Sequence, residues 1–139
     1  MKTKIEDIAT IIASAIWADG VYDPAEKVTV EEIAEALELD ETAFNEAVDK
    51  QIAQLEKMPN EEVNALLDKV ADDVADDEIG IVFEAVLQML LCDGELSRTE
   101  VTNMLVIADA LGIETEDAVL LLADMLQEET DIVINLDEE

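Results

Sequence analysis

Apolar residues recur along this chain at the three- and four-residue spacing of one helix face, with polar residues between them. Ile5, Ile8, Ile12, Ala15 and Ile16 predict a first helix over residues 3–18. Asp19-Gly20 stops it, because glycine enters the left-handed conformation after a helix most easily. Asp23-Pro24-Ala25-Glu26 predicts the next start, with Asp23 as N-cap, proline at the first helical position and Glu26 reaching back as a capping box. This second helix covers about 24–39, and Glu31, Glu32, Glu35 and Glu38 form its wet face. Asp40 caps a third helix with Phe44, Val48, Ile52 and Leu55 on one face, closed by Pro59.

Asn60 is read as the cap of a fourth helix carrying Val63, Leu66, Leu67, Val70 and Val74. A fifth, about 77–92, has only Glu84 and Gln88 as polar members of Ile79–Leu91, which predicts a buried central helix. Asp93-Gly94 ends it, and Ser97-Arg98-Thr99-Glu100 forms a second capping box. A sixth helix runs through Leu111 to Gly112, and Thr115 is read as the cap of a seventh reaching about 128. In the tail, 130–139, Ile132-Val133-Ile134 either lies against the body or pairs with a partner.

The pattern repeats with an offset of 74 residues: Asp19-Gly20 falls on Asp93-Gly94, Glu26 on Glu100, Ile33 to Leu37 on Ile107 to Leu111, and Leu39 on Ile113. The expectation is an all-α single domain of 1–139, a bundle of about seven helices from two pseudo-symmetric halves. The repeats cover about 3–57 and 77–129, linked by a helix over 60–75. Two copies are too few for a solenoid, so a closed bundle is expected.

Composition supports a folded chain. Half of the 139 residues are apolar and periodic, which sets it apart from disordered acidic sequences. The charge is extreme: 37 acids against seven bases, a formal net charge of -30, with Arg98 the one basic residue after Lys69. Such a field repels nucleic acid and anionic membrane and attracts cations and basic surfaces. It equally serves solubility. No membrane insertion, no signal peptide and a cytoplasmic location are expected. Cys92 is the lone cysteine, so no internal disulfide forms, and its apolar run marks it as a small core residue. The pattern is compatible with a homodimer.

An enzyme is not expected. Histidine is absent, which removes the commonest acid–base group and the Glu-x-x-His pattern of di-iron bundles, and no glycine-rich phosphate loop is present. Hard cations, by contrast, take oxygen ligands, which this chain supplies densely. The first candidate metal group is Asp19, Asp23 and Glu26, duplicated as Asp93, Glu95 and Glu100. Calcium, magnesium or manganese is the expected ion. Capping accounts for Glu26 and Glu100, whereas Asp19 and Asp93 oppose the helix dipole at a cost of roughly 0.3–1 kcal/mol each. Helix capping and ligand binding therefore stand side by side. The short corner is not an EF-hand, whose ligands alternate over twelve residues. The second acidic cluster is Asp72, Asp73, Asp76 and Asp77, with Glu78 beside it. It reads as a solvated surface or as a seat for a cation or basic partner, with Asp76 or Asp77 capping the fifth helix.

Ala18-Asp19-Gly20 followed by Glu26, and Cys92-Asp93-Gly94 followed by Glu100, give two D-G-x5-E motifs after apolar helices. With Ile107-Ala108-Asp109-Ala110-Leu111-Gly112-Ile113, they resemble the signature of the TerB-like tellurite-resistance family, best over 79–126. The resemblance implies a duplicated helical domain, a role in resistance to tellurite and other stresses, and acidic residues serving metal ions or partner docking. The charge departs from the family pattern and leaves no place for a basic docking patch. Tellurite is an anion, so direct capture by this surface is unreasonable. The expected function is thus non-enzymatic binding of a divalent cation, a basic protein partner, or both. A protein-binding polyanion mimic without metal and a carboxylate-based metal hydrolase are the alternatives.

Overall fold

The computed structural model describes residues 3–19, 24–92, 95–128 and 133–135. Among them the chain forms α1 (Ile5–Asp19), α2 (Pro24–Ala36), α3 (Glu41–Leu55) and α4 (Asn60–Asp72). A single 3-10 turn (Asp76–Glu78) leads into α5 (Ile79–Leu91), then β1 (Glu95–Ser97), α6 (Arg98–Ala110), α7 (Thr115–Glu128) and β2 (Val133–Asn135). The fold is all-α apart from the two three-residue strands. Counterpart helices begin 74 residues apart: Ile5 and Ile79, Pro24 and Arg98, Glu41 and Thr115. No described helix is long and apolar enough to cross a membrane.

Two helices share the centre, where the periodicity singles out only α5. In α5, Val82, Phe83, Ala85, Val86, Leu87, Met89, Leu90 and Leu91 are buried. In α1, Ile8, Ala9, Ile11, Ile12, Ala13, Ala15 and Ile16 are buried as completely. The polar positions Thr10 and Ser14 of α1 are buried too. Small hydroxyls tolerate this because they can bond their own helix, and Thr10 Oγ1 donates to the Glu6 carbonyl at 2.8 Å. α1 packs on α3, α4, α5 and α6, while α5 packs on α1, α2, α6 and α7. The aliphatic core is anchored by Phe44 from α3 and Phe83 from α5, both fully buried.

The two halves end their second helices alike. Leu39 N–H donates to the Ala34 carbonyl at 2.8 Å, and Ile113 N–H to the Ala108 carbonyl at 2.8 Å. Both are the long bond of a Schellman close, which places the preceding residue in the left-handed region. That residue is Gly112 in one half, with φ 79°, and Glu38 in the other, with φ 58°. The helix ends at Ala36 for this reason, short of the expected 39.

Caps follow the sequence in part. Asp40 caps α3 as expected, accepting from Ala43 N–H at 3.0 Å. Asn60 does not cap α4: Pro59, with φ -62° and ψ 152°, already has the extended geometry of a cap residue, so Asn60 is the first helical position. Thr115 likewise opens α7, and the Glu114 carbonyl accepts from Ala118 N–H as Asp40 does from Phe44 N–H. Asp76 and Asp77 do not occupy the cap position of α5; they form the 3-10 turn, and Glu78 precedes the helix without a side-chain cap bond.

The start of the described chain is fastened to that turn. Glu78 is buried, and its Oε1 accepts from Thr3 N–H at 2.8 Å and from Thr3 Oγ1 at 2.6 Å. Thr3 Oγ1 in turn accepts from Ala75 N–H at 3.0 Å. Part of the tail also lies against the body. β2 pairs in parallel with β1, Glu95 opposite Val133 and Ser97 opposite Asn135.

Candidate functional site

The corner residues separate into described and undescribed parts. Asp23 and Asp93, with Gly20 and Gly94, lie outside the described residues. Asp19 closes α1 and Glu95 opens β1, and their backbones alone are described. Glu26 and Glu100 occupy the same first-turn position of α2 and α6 and are 4 % and 5 % exposed. A carboxylate is buried only where neighbouring groups compensate its lost hydration, and both are engaged with their surroundings. Among the described residues no three carboxylate or thiol groups converge on a point that would hold one metal ion.

The second cluster does not converge either. Asp72 ends α4, Asp73 is its cap residue, Asp76 and Asp77 follow in the turn, and all four are exposed. One further carboxylate, absent from the sequence-based set, feels this cluster. Partial burial pushes the Asp7 carboxyl above its ordinary value, and Asp73 pushes it further, while Lys4 and Lys69 pull it back. The end of α4 therefore lies beside the start of α1 with like charges facing.

A concavity lies elsewhere, away from both acidic groups. A trough of about 450 Å³ opens between α2, α5 and α7, lined by Val28, Thr29, Glu32, Gln88, Leu91, Cys92 and Met125. A second lobe of about 390 Å³ shares Gln88 and Met125 and continues to Glu84, Leu121 and Asp124. Leu91 forms a buried floor, with Leu121 and Met125 half-buried on the α7 wall. Val28 stands 52 % exposed on the α2 lip, and Leu120, one turn before Asp124, is 63 % exposed. Gln88 Nε2 donates to Glu32 Oε2 at 3.4 Å and so links floor to wall. Glu32, Glu84 and Asp124 are exposed around this mixed polar and apolar surface, and among the described residues neither lobe is lined by a lysine or arginine. Cys92 is half-buried at the trough, not the core residue its apolar run suggested, because α5 ends one residue before it.

Sequence reasoning assigned Glu32 to a wet face and named Glu84 and Gln88 only as a polar stripe. The signal that would have found the trough lay in the repeat. At the same offset α1 carries Thr10 and Ser14, which are small, where α5 carries Glu84 and Gln88. No family model, no curated protein and no solved structure matches this chain.

Proposed function

We propose that this chain is a non-catalytic, acidic binding protein, TerB-like in its paired D-G-x5-E halves, that serves a cytoplasmic stress response such as tellurite resistance by docking a basic protein partner. The observation carrying this reading is the trough: Val28, Leu121 and Met125 interleaved with Glu32, Glu84 and Asp124 on a chain of net charge -30. Apolar contact supplies affinity there, and the carboxylates select and steer a cationic surface.

Divalent-cation binding at the paired corners is a second reading, favoured by the burial of Glu26 and Glu100 at one shared position of two halves. Calcium, magnesium and manganese are hard cations suited to such oxygen donors. The two readings part in one set of measurements. Under the first, a basic protein captured by the chain survives chelator, is released by high salt, and is lost with Glu84→Lys plus Asp124→Lys. Under the second, micromolar calcium, magnesium or manganese raises the melting temperature beyond sodium chloride of matched ionic strength. Capture that requires the metal and ignores the charge reversal would overturn the first reading in favour of the second.

A further inference from the structure

The trough has a counterpart across α1 and α6, and there it is filled. The α5 residues Glu84, Gln88 and Leu91 stand 74 positions after Thr10, Ser14 and Trp17 of α1. In α1 this face is covered. Thr10 and Ser14 are 4 % and 3 % exposed, and Trp17 packs in a small apolar cluster with Ile52 and Leu55 of α3 and Val63 and Leu66 of α4. The far end of α4 reaches the start of α1, where Asp73 and Lys69 act on Asp7. α4 also packs on α6, the counterpart of α2. Thus α4 lies across α1 and α6 where the trough lies across α5 and α2. Among the described residues no helix covers α5 on that side: Glu84 is exposed and Gln88 half-exposed.

The two seats differ in charge. By the 74-residue offset Glu32, Glu84 and Asp124 correspond to Val106 of α6, Thr10 of α1 and Lys50 of α3. Three carboxylates thus replace a valine, a threonine and a lysine at matched positions. The occupant of the filled seat, α4, is itself acidic on its outer positions. The open seat repels such a helix and repels a second copy of this chain, and it suits a helix of the opposite sign.

We propose that the trough between α2, α5 and α7 is the open counterpart of the α4 seat and takes one amphipathic helix of a basic partner protein. Its apolar stripe packs on Leu91, Leu121 and Met125, and its lysines or arginines face Glu32, Glu84 and Asp124. An apolar stripe at i, i+3, i+4 and i+7 in a groove is the general form of helix-in-groove recognition. The length to match is that of α4, 13 residues. This proposal rests on the reading of the chain as a docking protein and adds the shape of what docks.

The test uses the full chain and two 14-residue peptides of leucine and lysine with identical composition. One carries its leucines at helical spacing, and the other alternates them with lysine. Binding is followed by fluorescence anisotropy and mapped by amide chemical shifts. The helical-pattern peptide is expected to bind at least tenfold more tightly than the alternating one, with shifts concentrated on α2, α5 and α7. Glu84→Lys plus Asp124→Lys should weaken it about tenfold, and so should Val28→Lys on the exposed lip, with the far-ultraviolet spectrum unchanged. Equal binding of the two peptides, weakened alike by charge reversal, would overturn the helix seat and leave acidic docking standing. Shifts centred on α1 and α6, as expected if the peptide displaced α4, would also overturn it. Failure of both peptides to bind would remove the seat and the docking function together.

Discussion

In the first half of the molecule α3 lies along α1 in the most extensive helix contact of the fold, and α4 closes another side of α1. In the second half α7 meets α5 over a short stretch only, and the matching side of α5 opens into the trough. The residues account for the difference. Phe44, fully buried at the start of α3, is matched by Ala118 in α7, so the second half lacks the large anchor that draws the helix inward. The half-buried Asn45 and exposed Glu46 of α3 are matched by Val119 and Leu120, which are exposed. One repeat unit has thus placed its apolar side chains inward for stability, and the other presents part of them at its surface. The exposed apolar positions of α7 thus stand where α3 carries polar residues.

This contrast can be broken most forcefully at the anchor. Phe44→Ala is expected to cost about 3–5 kcal/mol in chemical denaturation, because a buried aromatic leaves a cavity. At the matched site Ala118→Gly should cost about 1 kcal/mol, the ordinary helix penalty. Equal losses would show that α7 is as tightly held as α3.

The Thr3 fastening is the next largest effect. Thr3→Ala removes one donor to the buried Glu78 carboxylate and the acceptor of Ala75 N–H, and is expected to cost about 2 kcal/mol. Thr3→Ser keeps the hydroxyl and should recover most of it. A smaller pair tests the matched helix ends. Gly112→Ala should destabilise by about 1 kcal/mol through its positive φ, since open space surrounds the position, whereas Glu38→Gly should stabilise by about 0.5–1 kcal/mol. Loss of stability in both would mean that Glu38 makes compensating contacts.

The smallest effect concerns Asp7. Its folded pKa is raised, by burial first and then by Asp73, so the folded state holds this proton more tightly than the unfolded chain. Stability from this group is therefore lost as pH climbs from about 3.8 through the raised folded value, and regained on acidification. Asp7→Asn should remove that slope and gain a few tenths of a kcal/mol at neutral pH, fading with salt. The check is the difference between variant and wild-type melting temperatures across that pH range.

Much of the fold was legible because its signals are local. Helical periodicity located the seven α-helices of the described residues, Asp40 was recognisable as a cap, and the 74-residue offset matched the starts of three helix pairs. The strand pair was not legible, since three residues carry no measurable alternation and β1 follows directly on a turn motif. The sharing of the centre by α1 was obscured by Thr10 and Ser14, whose hydroxyls look polar in sequence yet bury readily. The site was less legible than the fold. Glu26 and Glu100 read as reciprocal caps, and their burial fits that without revealing a ligand. Glu32, Glu84 and Asp124 come from three separate helices, and only the assembled packing shows that they border one surface.

The parallel pairing of β1 with β2 ties together the two ends of the segment that carries α7. Parallel neighbours demand a crossover, and here the crossover is α6 followed by α7. The segment from Glu95 to Asn135 is thereby closed into a hydrogen-bonded ring, with α7 leashed at both ends despite its light grip on α5. The α7 wall of the trough thus belongs to a segment whose two ends are hydrogen-bonded to each other.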